Sequence, residues 1–174
     1  MTGVSRGSEI AEVDAFLAEA KRVRGDLPQW EPSGWKTDLL ALWVVENEHG
    51  IARGQVRFTC RRAKETYPTI NLIFRGQPIW RVEIEEPPLS HRNPPWAFKI
   101  DLPAVVRGSH EHAWPDNRSY VESLESDWNI PCRRPIQPQI QRLPQAWAWF
   151  ATRVNVGLES SQRGFDIPHQ REMF

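Results

Sequence analysis

Apolar residues recur at three- and four-residue steps through Ile10, Val13, Phe16, Leu17 and Ala20, the stripe of a helix that buries one face. Ser8 stands where a cap belongs, and Glu9 and Glu12 fall in the positive first turn. Gly25 follows the basic residues Lys21, Arg22 and Arg24, so the pattern predicts a helix that runs up to Gly25. After Leu27-Pro28 the period changes. Thr37 to Glu46 is apolar almost throughout (Leu39, Leu40, Leu42, Trp43, Val44, Val45), which predicts a strand covered on both faces. A turn at Asn47 to Gly50 follows. Strict alternation then places Val56, Phe58 and Cys60 on one face, as it does Ile70, Leu72 and Phe74, and Trp80, Val82 and Ile84. Arg75-Gly76-Gln77 reads as a hairpin connection. The opposite face carries Arg57, Thr59 and Arg61, then Asn71 and Ile73, then Arg81 and Glu83. This polar row is either a half-solvated sheet face or the floor of a site roofed by a later loop.

Glu86-Pro87-Pro88 closes the meander, and the chain becomes irregular and proline-rich. A short strand from Leu102 to Arg107 would deliver the segment Gly108-Ser109-His110-Glu111-His112. Leu143-Pro144 opens a last helix with Trp147, Phe150, Ala151 and Val154 as its buried stripe and Gly157 as its end. Residues 1–7 and 160–174 read as flexible tails. The order predicts a single α+β domain over 1–174: an N-terminal helix, a four-stranded antiparallel meander, an irregular segment bearing the His-x-His pair, and a C-terminal helix.

Composition narrows the class without naming a task. The 174 residues are 40% hydrophobic and 25% charged with no net charge, which argues against a broad basic face for nucleic acid. Two basic clusters, Arg61, Arg62 and Lys64, then Arg133, Arg134 and Arg142, read as solvated surface. No apolar run has membrane-spanning length and the first residues lack the apolar core of a signal peptide, so a cytoplasmic, reduced protein is expected. Cys60 alternates with core residues. Cys132 reads either as a small half-buried residue of a proline-rich loop or, with Arg133 and Arg134 beside it able to lower its pKa, as a nucleophile.

The candidate chemistry centres on His110 and His112. On an extended backbone these point the same way and can converge on one metal, one phosphate or one proton. A divalent metal such as zinc would need a third ligand from His91, Asp116 or Glu111. Without metal, the pair could act as acid and base on a phosphodiester, with Asp116 orienting an imidazole and Arg81 or Arg118 stabilising charge beside Trp114. The catalytic candidates are thus His91, His110, His112 and Asp116, and the substrate-binding candidates are Arg81, Trp114 and Arg118. A non-catalytic role, with the histidines bonding backbone and the surface serving a protein partner, is the alternative.

His91-Arg92-Asn93-Pro94, followed by Gly108-x-His110-x-His112-x-Trp114, resembles a family of small prokaryotic proteins with H-R-N-P and G-x-H-x-H-x-aromatic motifs and a closing aromatic helix. The resemblance implies a mobile-element, defence or toxin–antitoxin setting, and with it a nuclease-like hydrolase, RNA as a possible substrate and a cognate protein as a possible partner. The longer proline-rich insert from Pro95 to Arg107 and the segment from Asp127 to Pro138 depart from that pattern. The order of elements also resembles the ubiquitin-conjugating fold, in which Cys132 would be the nucleophile; the His-Pro-Asn tripeptide of that family is missing.

Overall fold

Strand β3 (Asp38–Asn47) and its antiparallel neighbours β4 (Ala52–Arg61), β5 (Lys64–Phe74) and β6 (Gln77–Glu83) form the meander that alternation predicts. They are the centre of something larger. The computed structural model describes residues 5–34, 38–61, 64–125 and 128–168. Of the residues discussed above, Thr37, Arg62, Asp127, the side chain of Lys64 and the tail segments 1–4 and 169–174 lie outside that description. Before the meander come helix α1 (Arg6–Ala18), β1 (Lys21–Val23) and β2 (Glu31–Pro32). After it come β7 (Ser90–Arg92), a 3-10 turn at Pro95–Ile100, β8 (Val105–Arg107) and β9 (His110–His112). Then follow α2 (Trp114–Glu122), β10 (Arg134–Pro135), α3 (Leu143–Arg153), β11 (Val156–Gly157) and α4 (Ser160–Arg163). The main sheet of the described residues has nine strands, in the order β10-β9-β6-β5-β4-β3-β1-β11 with β2 added against β3. It is mixed, because β1 and β11 run parallel. The four-stranded sheet is therefore corrected to nine strands. The added strands are only two or three residues long, too short for period-2 patterning to reveal.

Helix α1 is shorter than its stripe suggests. Ser5, not Ser8, caps it, accepting from the Ser8 amide at 3.3 Å. At the other end Lys21 leaves the helix, and its Nζ folds back to donate to the carbonyls of Phe16 (2.6 Å), Leu17 (3.2 Å) and Glu19 (2.6 Å). Those last carbonyls have no intrahelical partner, so the lysine terminates the helix it was expected to continue. Phe16 lies over Gly54 of β4, where a Cβ would meet the Ile73 carbonyl oxygen at 2.5 Å and the Phe16 ring at 3.2 Å. Glycine is what allows that close approach.

One face of the sheet carries the core. Val56, Phe58, Ile70, Leu72 and Val82 are buried against α1 and α3. Trp147 of α3 stands edge-on to Phe58 at 5.1 Å and beside Trp43 at 5.9 Å. The last helix ends at Arg153 rather than Gly157; Asn155 takes the left-handed conformation (φ 57) and the chain enters β11. The segment after Ser160 does not fray there either: Phe165 is buried and packs on Phe58 at 4.8 Å. Nor is β3 covered on both sides, since Leu42 is 45% exposed and Val44 37%. Among the described residues no helix is long and apolar enough to cross a membrane.

Candidate metal centre

Antiparallel register carries the polar face of the meander straight to the histidines. Arg57 pairs with Asn71, Asn71 with Arg81, and Arg81 with His112. One rung along, Thr59 pairs with Thr69, Thr69 with Glu83, and Glu83 with His110. Residues paired across a sheet point to the same side. Both imidazoles and the Glu83 carboxylate therefore rise from one face, opposite the core.

Glu111, between the histidines, points the other way. Its carboxylate accepts from the Trp80 indole (2.9 Å) and from Arg153 of α3 (2.7 Å), so the strand is anchored to the core through the residue that the two histidines flank. Before it, Gly108 has φ +67 and a backbone so close to Pro87 that a Cβ would sit 3.2 Å from its Cα. That turn presents the Gly108 carbonyl to His110 Nδ1 at 2.9 Å. His112 Nδ1 meets the Ile130 carbonyl at 2.6 Å. The segment carrying Ile130 is held over the site by two asparagines. Asn117 exchanges bonds with Cys132 (2.7 Å to its amide, 3.2 Å from its carbonyl), and Asn93 does the same with Arg133 (2.7 and 2.8 Å). This is the structural use of the asparagines in H-R-N-P and in Trp114-Pro115-Asp116-Asn117.

A carbonyl oxygen can only accept, so both Nδ1 atoms donate, and in the neutral form of each imidazole Nε2 holds the lone pair. Those Nε2 atoms are buried and have no hydrogen-bond partner. Facing them are the two oxygens of Glu83, Oε2 at 3.7 Å from His110 and Oε1 at 3.6 Å from His112. Such distances are too long for hydrogen bonds. They suit ligands of one ion, since donors about 2.1 Å from a tetrahedral centre lie about 3.4 Å apart. Half-buried Glu83 and buried His110 and His112 thus form a group that could hold a metal, and Glu85, His91 and His110 form a second. Burial alone would raise the Glu83 pKa, but the protonated, positively charged forms of His112 and His110, with Arg81 at 3.3 Å, pull it down to about 2 when no ion is bound. Arg81 is itself fixed by Asn71 at 3.0 Å.

A second carboxylate–histidine pair adjoins the first group. Glu85 Oε2 lies 2.6 Å from His91 Nε2, and the His91 ring packs 4.8 Å from that of His110. Glu83 and Glu85 line one wall of a polar cavity of about 350 Å³, together with Thr59, Thr69, Arg61 and Tyr67.

The sequence-derived candidates separate cleanly. His91, His110, His112 and Arg81 meet. Asp116, Arg118 and Trp114 do not join them, because α2 carries these three residues away. Asp116 forms a two-point ion pair with Arg134 (3.0 and 2.8 Å), and Arg118 and Trp114 both bind Asp14 of α1 (2.9 and 2.8 Å). They fasten elements together. His110 and His112 are fully buried, whereas His91 is half-buried. Glu83, brought in by pairing between distant strands, completes a group with both histidines, while of the residues considered as third ligand His91 alone joins such a group, with His110 and Glu85. Cys132 does not have the surroundings of a reactive thiolate: its thiol is buried, and burial, aided by Asp116, pushes its pKa up to about 11. The chain matches no family model, no curated protein and no solved structure.

The buried imidazole has a consequence for acid stability. Burial holds the His110 pKa below its ordinary 6.5, although the Gly108 carbonyl and Glu83 oppose this. The folded metal-free protein therefore binds fewer protons than the unfolded chain once the pH falls below 6.5. Glu83 acts in the same direction, its stabilisation being present above pH 4.5 and lost as the pH falls towards 2. Urea midpoints measured in chelator at about pH 8, 6 and 4 are expected to fall in that order. A midpoint unchanged across the series would contradict the burial of these groups.

Proposed function

We propose that this protein is a metal-dependent phosphodiester hydrolase of nuclease type, working at Glu83, His110 and His112. The observation that carries the proposal is the convergence of two buried imidazole nitrogens without hydrogen-bond partners on the Glu83 carboxylate. A cation would satisfy all three at once. Imidazole and carboxylate donors suit zinc, and the same set takes ferrous iron. Structural zinc sites are closed by four protein ligands, whereas catalytic ones use three and keep a position open. Here three ligands are present and Glu83 opens on the polar cavity. A divalent ion in such a site makes water acidic enough to attack at neutral pH.

The remaining side chains suit that chemistry. Glu85, paired with His91, faces the cavity and is placed to take a proton. Arg61 lines the same cavity and Arg81 stands beside Glu83, which offers positive charge to a phosphate. The motif resemblance supports a defence or toxin–antitoxin setting. A non-catalytic, partner-binding role is favoured by one observation, the near-complete burial of both imidazoles (0% and 1% exposed), which would suit an ion acting as a clip.

Incubation of the zinc-, manganese- or iron-loaded protein with RNA and DNA oligonucleotides separates the two. Cleavage is expected, abolished by chelator and by His110→Ala and retained in Arg118→Ala. If no oligonucleotide is cut under any loading, or if chelator has no effect, the hydrolase assignment fails.

A further inference from the structure

A second cavity, of about 580 Å³, lies beside the polar one and shares two wall residues with it, Tyr67 and Glu85. Its character is different. Ile84, Pro87, Pro135, Ile136 and Ile140 supply apolar walls, and Arg107 and Glu86 stand at its margin. Its volume is that of a small-molecule pocket, apolar with a few polar groups. Arg107 is exposed and makes no ion pair or side-chain hydrogen bond among the described residues, so its guanidinium is available to an incoming anion. Ser109 accepts from the Glu85 amide at 3.0 Å and donates to the Glu85 carbonyl at 3.2 Å. The partition between the cavities is thus tied to the turn that delivers the histidines.

We infer that this cavity is the nucleoside subsite of the same active site: it takes the base and sugar of a nucleotide whose phosphate lies towards Glu83. The inference rests on the hydrolase proposal and deepens it. A substrate spanning both cavities needs an anionic reacting group for the polar one and a flat apolar body for the other. A nucleotide has both. The isoleucine and proline walls cover the faces of a base, and Glu86 accepts from an exocyclic amino group. Arg107 meets a neighbouring phosphate with two parallel donors.

The test uses the zinc-loaded full chain and the four nucleoside 5′-monophosphates, followed through isoleucine methyl resonances. Saturable shifts at Ile136 and Ile140 are expected. Arg107→Ala, an exposed change, is expected to weaken binding about tenfold. Ile140→Trp, which fills the cavity, is expected to abolish it. The absence of methyl shifts with all four nucleotides overturns the subsite, as does unchanged affinity in Arg107→Ala and Ile140→Trp together. Binding at these methyls without oligonucleotide cleavage would keep the subsite and remove the hydrolase assignment. Cleavage without such binding would do the reverse.

Discussion

His112→Ala is expected to reduce bound metal from one ion per chain to background after dialysis, with affinity weakened by at least about a hundredfold. Loss of an outer-shell partner alone typically costs 10–100-fold, and here a ligand itself goes. The variant leaves only His110 Nε2 and Glu83 of the set, and the Nδ1 atom of His110 is committed to Gly108. Thermal unfolding gives an independent measure. An ion at a hundredfold excess over its Kd stabilises the folded state by about 2.7 kcal/mol, roughly 5–10 °C for a chain of this size. The native protein should show this rise with zinc, Glu83→Gln a smaller one and His112→Ala none. Equal metal content and equal zinc-induced shifts in native protein and His112→Ala would remove the metal centre altogether.

The second large effect belongs to the core. Trp147→Ala is expected to destabilise the protein by about 3–5 kcal/mol, lowering the melting temperature by roughly 6–20 °C. Trp147 is completely buried, and its ring touches Trp43, Phe58 and Phe150, so truncation empties the space where three elements meet. Its indole N–H also donates to the Gln162 carbonyl at 3.1 Å, a bond that holds α4 and with it Phe165. Trp149→Ala, two residues on and only partly buried, serves as the comparison and should cost far less. Similar losses in the two variants would mean that the aromatic cluster does not carry the fold.

Alternation along β4, β5 and β6 made the meander and its two faces readable, and the polar row of Arg57, Asn71 and Arg81 was visible in residue order alone. The histidine pair was visible too, as was the involvement of His91. Glu83 and Glu85 escaped attention as ligand and partner for a definite reason. Glu83 stands 27 positions before His110, and only the pairing of β6 with β9 joins them. A three-residue strand carries no periodic signal that would announce such a pairing. Asp116 and Arg118 misled in the opposite way. They are close to the histidines along the chain, but α2 begins at Trp114 and turns them towards β10 and α1. Alternation had put Glu83 beside Arg81 on the polar face. What it could not supply was the strand lying next to that face.

Strand β9 lies one strand in from the sheet margin, between β6 and the two-residue β10. Margins of sheets open at a small fraction of the free energy needed to unfold a domain. An ion shared between Glu83 of β6 and the two histidines of β9 would be a rivet through that margin, and each brief opening of the edge would be an opportunity for the ion to leave. Metal exchange and the breathing of this corner would then be a single equilibrium. Whatever seals the edge, including β10 held by Arg134 against Asp116, would set how long the ion stays.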